Sequence, residues 1–281
     1  MIFFICTFYA EVIAQQLGGT GKGDIADQPD YTAPMLTAVP RLAAIDALRG
    51  LAMVWMTAFH FCFDLNHFGY IRQNFYDDPV WTWQRSCILG LFLLTAGLGQ
   101  ALALQQGQSW PQFWRRWRMV AACALLVSAG SYWMYPQSFI YFGTLHGIAA
   151  MLVLVRLTAG LKVWLWLLGA LAVAAPWLAV SALSTPVNSP LVHTLNSPYW
   201  NWLGLITQKP ITEDYVPLLP WLGVMWWGVA GGQWVLRNRP QWLVVPAPPQ
   251  LALLGRWSLS YYMLHQPVMI GVLSAFKWCV G

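Results

Sequence analysis

Hydrophobic positions dominate this chain and gather into long runs rather than alternating. From residue 41 onward, seven such runs approach the roughly 20 residues a membrane-crossing helix needs. They lie at about 42–64, 84–104, 117–135, 139–157, 163–183, 216–236 and 251–276. Short polar connections rich in Pro, Gly and Asn separate them. The pattern predicts an all-α, polytopic membrane protein with about seven transmembrane helices. Residues 1–40 differ in kind. The opening MIFFICTFYAEVIA is apolar but too short to span, lacks a basic start and carries Glu11, so it does not read as a signal peptide. The Gly- and Pro-containing stretch 18–40 reads as a flexible linker. The domain division expected is therefore a stub and linker over 1–40 and a single transmembrane domain over 41–281.

The first run breaks its own pattern. Within IDALRGLAMVWMTAFHFCFD (45–64) stand Asp46, Arg49, His60 and Asp64. At about 100° per residue, the 11 positions from Arg49 to His60 return within roughly 20° of the starting angle. The 18 positions from Asp46 to Asp64 do the same. All four ionisable groups share one face of a helix that is otherwise apolar. Charges inside a bilayer cost from about 2.5 to more than 10 kcal/mol at its centre, so the face predicts a protein-lined site. The plain alternative is that Asp46 and Arg49 form an ion pair holding helices together.

Composition agrees with the membrane setting. Hydrophobic residues make up 58% and charged residues 9%, with 19 Trp and 11 Tyr suited to the two interfaces. The net charge of +5 lies in alternate connections. Arg115, Arg116 and Arg118 fall in the second, Arg156 and Lys162 in the fourth, and Arg237 and Arg239 in the sixth. Under the positive-inside rule those connections, and the N-terminus, are cytoplasmic. No basic patch interleaved with aromatics points to nucleic acid. The five cysteines have no metal-ligand spacing, so no metal is expected and free thiols are.

In that orientation Arg49 sits toward the cytoplasm and His60 toward the outer end, about 16 Å along the axis at 1.5 Å per residue. Arg49 can hold phosphates bidentately. His60 can act as a general base, with Asp64 one turn on to orient or charge the ring. His146 and His265 also fall inside predicted spans and are expected to line the site. Tyr261, four residues before His265, stacks on it. His67 lies just past the first span and can reach over the site, whereas His193 reads as surface.

Six segments now carry a resemblance. RLAAIDALRGLAMVWMTAFHFCFDLNHFGY, LFLLTAGLGQALA, FWRRWRMV, FIYFGTLHGIA, DYVPLLPWLGVMWWGVAGG and LGRWSLSYYMLHQPVMIG stand in the order seen in the heparan-α-glucosaminide N-acetyltransferase-like catalytic domain family. That group includes bacterial proteins long called a domain of unknown function. The spacing from Arg49 to His60 also resembles that of the wider transmembrane acyltransferase superfamily. The resemblance implies transfer of an acetyl group from cytoplasmic acetyl-CoA to a sugar amine or hydroxyl on the periplasmic side of a bacterial inner membrane. Arg49, with Asp46, would stand on the donor side and His60 would be the catalytic histidine. In the lysosomal branch an Asn occupies the region of His60 and the histidine follows the helix, which makes His67 the second candidate base. The partners implied are acyl-CoA, a carbohydrate or glycolipid acceptor and membrane lipid; a homodimer is compatible with the sequence. The reading from another class is a proton-coupled transporter or flippase, in which His60 and Asp64 relay protons.

Overall fold

A computed structural model describes residues 42–183 and 190–280; the stub and linker expected over 1–40 lie outside the described residues. Each of the seven hydrophobic runs is helical. In chain order the helices are α1 (Ala43–His67), α2 (Pro79–Gln105), α3 (Trp110–Met134), α4 (Thr144–Thr158), α5 (Trp164–Leu183), α6 (Pro190–Asn196), α7 (Trp221–Asn238), α8 (Pro249–Arg256) and α9 (Ser258–Val280). Among the described residues there is no strand. Three helical segments are long and apolar enough to cross a membrane by themselves: Pro79–Gln105, Thr144–Leu161 and Trp164–Ala182. The last turns much of its surface outward, with Trp164, Leu171, Trp177 and Leu178 all exposed, as lipid-facing helices do.

Boundaries depart from the hydrophobic pattern in several places, and the local reason is plain at two of them. The third helix begins at Trp110 rather than near 117, because the Gln112 side chain accepts the Ser109 backbone N–H at 3.0 Å and Pro111 fits the first turn. Arg115, Arg116 and Arg118 therefore ride on the helix and leave a connection of only 106–109. The fourth helix starts at Thr144 rather than 139, because the preceding residues bond the segment before α7. Glu213 N–H donates to Ser138 O and Val216 N–H to Phe142 O. The last run divides at Trp257 into α8 and α9.

Two apolar centres organise the helices. One is built on Leu93, Met151, Val155, Leu165, Met225 and Val229, so α7 is packed by α2, α4 and α5. A Cβ on Gly228 would strike the Leu94 backbone, and one on Gly232 would meet Ala101 and Leu98. This GxxxG face lets α7 approach α2 closely, as small residues do where helices meet in lipid. The other centre joins Met53, Met56 and Phe59 of α1 to Phe75 and Ile88. Here Phe75 stacks on Trp81 with centroids 4.1 Å apart.

The helix with the ionisable face is held by its far end. A Cβ on Gly50 would run into the Leu251 carbonyl, and one on Gly255 into the Asp46 carbonyl. Helix α8 thus lies backbone to backbone on the first half of α1. That contact carries Arg256 to Asp46, and α9 continues along the second half of α1 toward His60.

Candidate active site

At the α8 end, Arg49 Nη1 and Asp46 Oδ1 are 3.2 Å apart, and Arg256 Nε stands 3.7 Å from Asp46 Oδ2. One carboxylate is thus shared by two guanidiniums. Gly99 of α2 lies beneath the Arg49 guanidinium, where even a Cβ would touch Nη2 at 3.4 Å. The ion pair considered from spacing alone is present. Arg256 of α8 is its third member.

Along the second half of α1, α1 and α9 face each other across a polar seam. The His60 ring meets Phe59 edge-on at 5.8 Å and His265 at 5.2 Å between centroids. Tyr261 stacks on His265, 5.9 Å away and 9° from parallel, as their four-residue spacing predicts. The Tyr261 hydroxyl is 2.7 Å from Thr57 Oγ1 on α1. His265 Nδ1 lies 2.7 Å from the Tyr262 carbonyl. A carbonyl only accepts, so the neutral ring carries its proton on Nδ1 and leaves Nε2 as a lone-pair nitrogen.

Asp64 does not orient His60, as its position one turn later suggests it should. Its Oδ1 instead accepts the Gln266 Nε2–H at 2.6 Å, because α9 presents Gln266 at that level of the seam. Asp64 is 3% exposed. Its Oδ2, together with Gln266 Oε1 and His265 Nε2, is buried without a hydrogen-bond partner. Native interiors leave few such atoms, each costing about 1–3 kcal/mol. Three such acceptors lie on α1 and α9 among the described residues. Gln266 was not singled out from the sequence; a polar residue beside a histidine in an apolar run (His265–Gln266–Pro267) was the available signal.

Of the remaining candidates only His67 lies near the seam, close enough to act on the Asp64 charge. His67 is exposed in the last turn of α1, its ring against Phe68 at 5.5 Å. His146 is engaged at both nitrogens. Gly143 N–H donates to Nδ1 at 3.3 Å, and Nε2 is 3.0 Å from Ser128 Oγ. The Ser128 hydroxyl in turn donates to Ile140 O at 2.6 Å. The directions assign Nε2–H to His146 and make it a structural link between α3 and the start of α4. Nearby, Asp214 caps α4, accepting from Thr144 N–H at 2.5 Å and from Thr144 Oγ1–H at 3.2 Å. Burial pushes the Asp214 carboxyl above the ordinary carboxylate value, against the pull of the Thr144 bonds and the His146 and Arg85 charges. Tyr262 reaches this cluster from α9, its hydroxyl against Thr144 and Asp214. Asp214, Thr144 and Tyr262 went unnoticed in the sequence because only the fold joins them. His193 is exposed on α6. Cys62, Cys87, Cys123 and Cys279 are free thiols, and no metal-holding group of three or more His, Cys, Asp or Glu occurs among the described residues.

The chain is helical and membrane-type, with a histidine pair and a guanidinium cluster set at the two ends of α1. The family follows from direct comparison. Residues 41–267 match the model of the heparan-alpha-glucosaminide N-acetyltransferase catalytic family, and the chain belongs to that family. Its members are membrane acetyltransferases that use acetyl-CoA as donor. No individual characterised protein and no solved structure is similar enough to add to this.

Proposed function

We propose that this protein moves an acetyl group from cytoplasmic acetyl-CoA to an amine or hydroxyl of a sugar or glycolipid on the opposite side of a bacterial inner membrane. The observation that carries the reading is the division of labour along α1. A guanidinium-rich cluster, Arg49 and Arg256 around Asp46, stands near one end. A histidine pair and orphaned acceptors stand about 16 Å further along. In this reading all seven hydrophobic runs cross or enter the membrane, with the N-terminus cytoplasmic. The Arg49 guanidinium then faces the donor's phosphates, where a bidentate fork fits best.

The chemistry follows from the positions. The acceptor's N–H or O–H loses its proton to His60 as its nitrogen or oxygen attacks the thioester carbonyl. The carbon–sulfur bond breaks, and the departing CoA thiolate receives the proton. His60 is the preferred base because it shares the Arg49 face and adjoins the seam. His67, exposed beyond the helix end, is the second candidate and suits acceptor binding. Family membership supports this reading over a proton-coupled transporter or flippase, and donor binding separates the two. Purified protein should bind acetyl-CoA, with Arg49→Ala weakening binding strongly and Arg49→Lys less so, since Lys keeps the charge but not the fork. Parent-like binding in both variants would reduce Arg49 to the partner of Asp46.

A further inference from the structure

We propose that His265 is a positioning residue for the acetyl transfer: its buried Nε2 accepts a hydrogen bond from the His60 ring and fixes which His60 nitrogen faces the acceptor. The inference rests on the acyltransferase reading above. Three observations on α9 carry it. His265 is 8% exposed, and its Nδ1 is committed to the Tyr262 carbonyl at 2.7 Å. Its Nε2 therefore offers a lone pair, and that atom has no partner among the described residues. The ring next to it is His60, 5.2 Å between centroids and 65° from parallel.

The group expected to orient His60 is bonded across the seam instead. Asp64 Oδ1 holds Gln266, whereas the ring that meets His60 from α9 is the imidazole of His265. A modest turn of the His60 ring about its own axis points one N–H at His265 Nε2. Its other nitrogen is then unprotonated and free to take the acceptor's proton. When His60 becomes imidazolium the same bond strengthens, because a charged donor bonds more tightly than a neutral one. The proton then passes from His60 to the CoA thiolate, and His265 ends the cycle as it began. Tyr261, stacked on the far face and tied to Thr57, keeps the His265 ring from turning away.

Two substitutions separate this role from packing. His265→Phe keeps a ring against Tyr261 and removes the acceptor; His265→Gln removes the ring and keeps an acceptor oxygen. With acetyl-CoA as donor and glucosamine or glucose as acceptor probes, kcat in the Phe variant should fall about 10²-fold, at the lower end of what positioned general-base catalysis supplies. The KM for acetyl-CoA should hold, since His265 lies away from the Arg49 cluster. The Gln variant should recover most of the loss. A Phe variant with parental kcat, or equal loss in both, overturns the proposal. A second reading needs no acceptor at all. The rate at which diethyl pyrocarbonate modifies His60 at neutral pH, followed by peptide mass spectrometry, should drop several-fold in the Phe variant, with exposed His67 as internal control. An unchanged His60 rate also overturns it. A parent protein that transfers acetyl to neither probe sinks the acyltransferase reading; the modification rates then decide the His60–His265 coupling by themselves.

Discussion

Replacing Gly255 by Ala tests the contact that brings the ends of the site together. The added Cβ would penetrate the Asp46 carbonyl and also press on Gly50 N at 3.0 Å. Both are backbone atoms of α1, so no rotamer change relieves the clash and α8 must move off α1. Overpacking of this kind costs about 1–3 kcal/mol. At roughly 2–4 °C per kcal/mol for a chain of this size, a central cost of about 2 kcal/mol lowers the melting temperature by about 4–8 °C. The same movement draws Arg256 away from Asp46, where it already stands 3.7 Å off, and acetyl-CoA affinity should fall with it. Melting can be followed in detergent with a thiol-reactive fluorophore, because Cys123 is buried and free. Gly271→Ala is the matched control. A Cβ there meets nothing within 4 Å, so the gain in helix propensity, about 0.8–1 kcal/mol, should leave the melting temperature equal or higher. If Gly255→Ala and Gly271→Ala melt alike, the close α1–α8 approach is wrong, and with it the placement of Arg256.

Further outcomes follow from other parts of the molecule. Single cysteines introduced into a cysteine-free background should react with a membrane-impermeant reagent from outside in the 190–215 segment and at the C-terminal end, and stay protected within 106–109. The reverse pattern would invert the orientation and move Arg49 off the donor side. Burial holds the Asp214 carboxyl protonated above the ordinary value of 3.8. Stability from this group is therefore present at low pH and lost as pH rises through the raised value. Asp214→Asn, which keeps an acceptor for Thr144 N–H, should flatten that decline; parallel melting curves across pH for parent and variant would remove Asp214 from it. His60→Ala should lose about 10²–10⁴-fold in turnover while still binding acetyl-CoA, and His67→Ala should chiefly raise the acceptor KM. Near-normal turnover in the first with loss in the second would transfer the base to His67.

Much of this architecture could be read from the chain because its strongest signals are local. Hydrophobic runs located every long helix, and the periodicity of α1 put Asp46, Arg49, His60 and Asp64 on one face without a structure. The Tyr261–His265 stack likewise follows from a four-residue spacing. Helix starts were less legible. Arg115 to Arg118 look like a loop by charge, yet Ser109, Pro111 and Gln112 start the helix before them. Phe139 to Gly143 look like helix by hydropathy, yet their backbone is bound to residues 212–216. What the sequence hid were pairings between distant elements. Nothing local to Asp64 announces that Gln266 will occupy it, nor that His60 will meet His265. Arg256 acquires its role only because Gly50 and Gly255 let α8 lie on α1. Asp214 caps a helix 70 residues earlier, a relation no window along the chain contains.

The central claim is that one chain receives acetyl on one side of a membrane and delivers it on the other. The direct measurement uses proteoliposomes holding an amino sugar inside, with radiolabelled acetyl-CoA supplied only outside and orientation fixed by protease protection. The account predicts that chains presenting the Arg49 end outward produce labelled acetyl-sugar in the lumen, that intact labelled CoA ester stays outside, and that His60→Ala abolishes the product. Acetyl-sugar formed only when donor and acceptor share a compartment, or lumenal product that persists in His60→Ala, would contradict it.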